Sequence, residues 1–129
     1  MQLDSESEAK LREYLRFAED PKTNDHLFSA WEWLRDLTVS QPQQAWDAFQ
    51  WLVARAPTSS VLETIGCGPL ADFLLQHPKY AESVASAAQV NERFYLAARW
   101  CWLDEEDVGN VAAQEFEATV KASPFAPKE

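Results

Sequence analysis

"LETIGCGPLADFLLQHP", Leu62 to Pro78, holds two of the chain's three glycines and two of its seven prolines, and its reading decides the fold. The stretch is either a glycine-rich loop that cradles a phosphate or a hinge between two helices. Backbone N–H groups at a helix start do favour anions. A phosphate loop, however, needs a preceding strand and a following Gly-Lys-Ser/Thr, and neither is present. Asp72 adds negative charge where an anion would sit. The hinge reading fits better. Ser60 and Glu63 have capping-box spacing, so a short helix starts near Ser60 and presents Val61, Leu62 and Ile65. Gly66 is expected to end it in a left-handed turn. Gly68 then suits an N-cap and Pro69 the first position of a helix that buries Leu70, Phe73 and Leu74.

Outward from this hinge the apolar residues recur at helical spacing, and no segment alternates like a strand. The spacing predicts a first helix from about Ser5 to Asp20, with Leu11, Tyr14, Leu15 and Ala18 inward and Pro21 as its stop. Asn24 or Asp25 is expected to cap a second, with Leu27, Ala30, Trp31, Leu34 and Leu37 on one face. "SQP", Ser40 to Pro42, divides it from a third that buries Ala45, Trp46, Phe49, Leu52, Val53 and Ala56. "AWEWLRDL" from Ala30 and "AWDAFQWL" from Ala45 match at alanine, tryptophan and leucine, the pattern of a helix hairpin in an α-solenoid. After Pro78 come "KYAESVASAAQ" and "NERFYLAARWCWL". The second of these, Asn91 to Leu103, is apolar nearly all round and is expected to be the most buried helix. "LDEEDV" reads as a start signal: Asp104 caps, Glu105, Glu106 and Asp107 complement the dipole, and Leu103 staples to Val108. The last helix turns Val108, Ala112, Phe116 and Val120 inward, and "SPFAPKE" is expected to fray. The expected fold is all-α, one domain spanning residues 1–129, with seven or eight short helices in antiparallel hairpins and a solenoid-like variant open.

The charge balance bears on partners. Twenty-one acidic residues against eleven basic ones leave a formal net charge of −10. That field repels nucleic-acid phosphates, anionic membranes and nucleotides, and attracts basic proteins. No direct nucleic-acid or membrane partner is expected. No segment approaches the ~20 apolar residues needed to span a bilayer. The start, "MQLDSESEAK", shows no export signal, and two cysteines make no disulfide framework, so a reduced cytoplasmic setting is expected.

The region from about Ala45 to Val108 resembles a family of small, acidic bacterial proteins of uncharacterised function. "AWDAFQWLVARAPTSSVLETIGCGPLADFLLQHP" and "RFYLAARWCWLDEED" carry the resemblance. The family pattern is a helix ending in Gly-Pro-Leu, an acidic residue two positions on, and a Leu-Leu pair, met here by Gly68, Pro69, Leu70, Asp72, Leu74 and Leu75. Trp100, Trp102 and Leu103 match its tryptophan-rich helix end. It covers about half the chain, and it implies a helical fold without implying any chemistry.

Residue chemistry points away from catalysis. Cys67, Cys101, His26 and His77 lie far apart, with no C-x-x-C or H-x-x-x-H pair, so neither a metal nor a cofactor is expected. No Gly-x-Ser-x-Gly elbow is present. An enzyme centred on Cys67 and His77 is the alternative of a different class. The tryptophans are more suggestive. Trp33 beside Glu32 and Asp36, and Trp51 beside Asp47, lie off the core stripes, with Asp25 near the start of the second helix. Large aromatics at the edge of acidic faces are the composition of a protein-binding hot spot. Trp33, Glu32, Asp36, Asp25, Trp51 and Asp47 are therefore the expected partner-binding residues. The expected function is a small acidic binding module, in its sharpest form a bacterial immunity protein neutralising a basic toxin domain such as a nuclease. An adaptor or a phage-encoded inhibitor would share these features.

Overall fold

The computed structural model describes residues 3–103 and 110–127. Among them every regular element is a helix or a helical turn, and the expected all-α fold is what forms. Helix α1 (Ser5–Glu19) begins where the Asp4 carboxylate accepts the Ser7 N–H at 2.7 Å, and it buries Leu11, Tyr14 and Leu15. The expected cap of the second helix does something else. Asn24 turns back and its side-chain N–H donates to the carbonyls of Arg16 and Asp20, closing the end of α1. A 3-10 turn at Asp25–Leu27 then leads into α2 (Phe28–Ser40), whose N-terminus has no side-chain cap. Helix α3 (Pro42–Arg55) starts on its proline, whose missing N–H costs nothing in the first turn.

The stretch from Leu62 to Pro78 is a hinge, built differently from the expected one. The Thr58 hydroxyl, and not Ser60, accepts the Val61 N–H and starts α4 (Ser59–Ile65). Gly66 is right-handed, with φ −64° and ψ −49°, so it supplies no left-handed turn. A wide π-turn at Gly66–Leu70 carries the chain around a kink at Gly68 and directly into α5 (Ala71–Gln76), so Gly68 is not an N-cap. Pro69 lacks the N–H that would continue the α-helical ladder, which accounts for the wider turn. Gly66 is needed for closeness: a Cβ there would lie 2.0 Å from the Ala97 carbonyl oxygen and 3.2 Å from Trp100 Cβ. The Cys101 thiol donates to the Gly66 carbonyl at 3.1 Å, across the same contact.

After a 3-10 turn at Pro78–Tyr80 come α6 (Ala81–Val90) and α7 (Glu92–Ala98), the latter capped by the Asn91 side chain accepting the Phe94 N–H. Helix α7 ends five residues before the expected Leu103. Phe94, Tyr95 and Cys101 are buried as expected, but Leu96, Trp100 and Leu103 are only half-buried and Trp102 is 78% exposed. Helix α8 (Asn110–Lys121) returns with Ala113, Phe116 and Val120 inward. The cap and staple expected at Asp104 to Val108 lie outside the described residues. The expected frayed tail is pinned at its root: buried Ser123 donates its hydroxyl to the Ala88 carbonyl at 2.7 Å and accepts the Phe125 N–H.

Packing is not a one-dimensional stack. Helix α1 lies on both α2 and α4, α4 on α7, and α6 on both α7 and α8. Rings from four elements meet in the core: Phe49 of α3, Phe73 of α5, Tyr80, and Phe94 of α7 through Trp46. His77 and Arg93 make polar ties between elements. His77 Nε2 lies 2.7 Å from the Thr38 carbonyl; since that oxygen can only accept, the ring nitrogen carries the proton. Arg93 of α7 donates to the carbonyls of Val53 and Ala56, so one guanidinium satisfies the open C-terminus of α3.

Candidate functional site

Helix α2 has one face it cannot bury. Ala30, Leu34 and Leu37 point inward, and at about 100° per residue the opposite stripe runs through Phe28, Glu32, Arg35 and Val39. Glu32 and Arg35 belong on such a stripe. Phe28 and Val39 do not, yet they are 46% and 58% exposed. Phe28 is held by its neighbours: its ring meets Phe17 edge-on at 5.8 Å and stacks on Trp31 at 5.2 Å. The Arg35 guanidinium covers the next position, 4.9 Å from the Trp31 ring centre. Arg35 also lies 3.9 Å from the Asp36 carboxylate, across an exposed contact of little energetic weight. The result is an ordered row, Phe17, Phe28, Trp31 and Arg35, spanning α1 and α2.

Acidic groups flank this row. Glu32 and Asp36 are exposed on α2, and Asp25 is exposed in the turn just before it. Trp33 is half-buried and packs against the core. Four of the six residues singled out by sequence therefore belong to one helix and its leading turn. The other two lie on α3. Asp47 is half-buried, with one carboxylate oxygen accepting from Gln43 at 3.4 Å. Trp51 corrects the expectation of an edge tryptophan, being only 8% exposed. The guanidiniums of Arg55 and Arg12 lie 4.4 and 5.5 Å from its ring centre. Conversely, Trp31 and Trp46, expected in core stripes, are only half-buried. Packing of α1 against α3 brings Arg12 onto the Trp51 ring, and that is not written in the helical period of α3 alone.

Phe28 and Val39 are the site residues that sequence reasoning missed. The signal was available: both fall on the polar stripe of an otherwise regular amphipathic helix.

The Cys67 and His77 pairing has no shared chemistry in the structure. The His77 ring is taken by the Thr38 carbonyl, while exposed Cys67 directs its thiol at the Thr64 carbonyl, 3.9 Å away. A groove of about 490 Å³ runs between the end of α7 and α8, lined by Tyr95, Trp102, Phe116 and Val120 with the Glu117–Lys121 ion pair at its rim. Among the described residues no three His, Cys, Asp or Glu side chains are grouped to hold a metal ion, and no helix is long and apolar enough to cross a membrane.

Comparison with protein families, with curated proteins and with solved structures finds no match for this chain. The family resemblance thus rests on the Gly68 to Leu75 and Trp100 to Leu103 residues, and the class defined by fold and surface is an all-α protein with an acidic, aromatic helix face.

Proposed function

We propose that the protein is a small acidic binding module that acts by occupying the surface of a basic protein, without an active site of its own. One observation carries this reading: the outward face of α2 places two exposed apolar side chains, Phe28 and Val39, among Glu32, Asp36 and Asp25. Apolar anchors ringed by charge are the composition of a protein-binding hot spot, in which the anchor slows dissociation and the charge speeds encounter. The net charge of −10 sets the sign of the partner. Phe28 is also pre-ordered by its two ring contacts, so little side-chain entropy is left to lose on binding.

The sharpest form is a bacterial immunity protein, kept in the cytoplasm to neutralise a basic toxin domain such as a nuclease. A nuclease must present cationic surface to bind phosphates, and an acidic helix face competes for that surface. The test is co-expression with the basic domain encoded by the neighbouring gene, followed by calorimetry on the purified pair. Survival of the cells and inhibition of the domain in vitro support neutralisation. Tight binding with undiminished toxicity supports an adaptor instead, and absence of binding removes the reading.

A further inference from the structure

A second feature lies at the packed crossing of the α4–α5 hinge with the end of α7. Cys101 is buried there, its Sγ 3.1 Å from the carbonyl oxygen of Gly66. Gly66 is bonded directly to Cys67, so the Cys101 sulfur is separated from the Cys67 backbone by a single peptide unit. Cys67 itself is exposed. Burial first, and then the nearby Cys67, push the Cys101 thiol well above the ordinary thiol range. Both thiols are free, one facing solvent and one waiting behind it.

We propose that Cys67 and Cys101 are a peroxide-oxidisable pair that closes to an intramolecular disulfide across the hinge. The Cys67 sulfur attacks a hydroperoxide, the O–O bond breaks, the thiol proton leaves with the distal oxygen as water or alcohol, and Cys67 carries a sulfenic acid. The Cys101 sulfur then attacks the Cys67 sulfur. The S–O bond breaks, hydroxide departs with the Cys101 proton as a second water, and the S–S bond forms. Two thiols have lost two electrons, and the peroxide has gained them. Exposure sets the order, because the solvent-facing sulfur meets the oxidant first. Burial keeps Cys101 protonated, so the second step is the slow one.

A Cβ at Gly68 would meet nothing within 4 Å, and Gly68 is where the backbone leaves helical geometry. Closure requires the Cys67 side chain to swing from the Thr64 carbonyl towards the Gly66 carbonyl that Cys101 already reaches. Closure would tie the Gly66–Leu70 turn to the segment just after α7, where turn and helix already touch, and would constrain the unfolded chain by a cross-link.

The test uses the reduced full-length protein treated with hydrogen peroxide, quenched by alkylation under native conditions and weighed intact. The expected product is a monomer lighter by two hydrogens, with a Cys67–Cys101 link in its unreduced peptide map and a melting temperature above that of the reduced protein. With Cys101→Ser, which keeps a hydrogen-bond donor to Gly66, peroxide should leave a sulfenic acid on Cys67 that dimedone traps. With Cys67→Ser, native Cys101 should stay unmodified. Conversion of wild-type Cys67 to sulfinic acid, or to a disulfide between two molecules, with Cys101 still a free thiol on denaturation would overturn the proposal, and this arm needs no variant to fold.

Discussion

Replacing Gly66 by alanine puts a methyl group 2.0 Å from the Ala97 carbonyl oxygen, which is backbone and cannot swing aside. Helices α4 and α7 must then separate, and overpacking of this kind costs about 1–3 kcal/mol. Gly68→Ala meets nothing within 4 Å and should lower the melting temperature by distinctly less. Equal losses for the two variants would show that α4 and α7 do not pack through Gly66. Acid tests a second residue. The Ser7 backbone N–H, followed by its hydroxyl, holds the Asp4 carboxyl below its usual range. A depressed carboxyl contributes stability above its unfolded pKa and loses it as pH falls through the folded one. The first turn of α1 should therefore loosen at acid pH, seen as a Ser7 amide shift that titrates with Asp4 and is flat in Asp4→Asn.

Helix ends were the least legible elements, because several side chains compete for each one. Ser60 has the spacing of a capping box, yet Thr58, two residues earlier, makes the bond to Val61. Thr58→Ala should cost about 1 kcal/mol in thermal unfolding and Ser60→Ala only a few tenths; the reverse order would restore the Ser60 start. The C-terminus of α3 shows a different solution, an arginine from 40 residues further along the chain. Arg93→Met keeps much of the stem but leaves the Val53 and Ala56 carbonyls without the guanidinium. Hydrogen bonds to a charged group are worth about 1.5–3 kcal/mol, and a loss in that range by chemical denaturation is expected. No local pattern announces such a tie. Arg93 reads as an ordinary exposed residue in the first turn of its own helix.

At the scale of the whole molecule the acidic field and the α2 face make separable contributions to binding. Glu32→Lys with Asp36→Lys should slow association at low salt while leaving the fold intact, since both side chains are exposed. Phe28→Ala and Trp33→Ala should leave the association rate nearly unchanged and speed dissociation. Of the two, Phe28 should weigh more, being 46% exposed while Trp33 is half-buried against the core. Association with the neighbouring-gene domain that ignores salt and the charge reversals would place the interface elsewhere.

What the sequence by itself determined is the helical class and most of the inward stripes. Leu11, Tyr14, Leu34, Phe49, Leu52, Phe73 and Phe116 follow from a period of 3.6 residues and are buried as the period requires. That signal is local, since one helix turned towards any core repeats every turn. The same locality explains why the acidic residues of α2 could be nominated correctly as exposed. Only the tertiary structure decided which tryptophans are closed over, why Gly66 is a glycine, and where α7 stops. Trp51 is buried with Arg12 of α1 as well as Arg55 of its own helix against its ring, and Trp102, beyond the end of α7 at Ala98, is 78% exposed. The Gly66–Ala97 approach and the Arg12–Trp51 contact join residues distant in sequence, and a periodic pattern within one helix holds no information about what the fold will set against it.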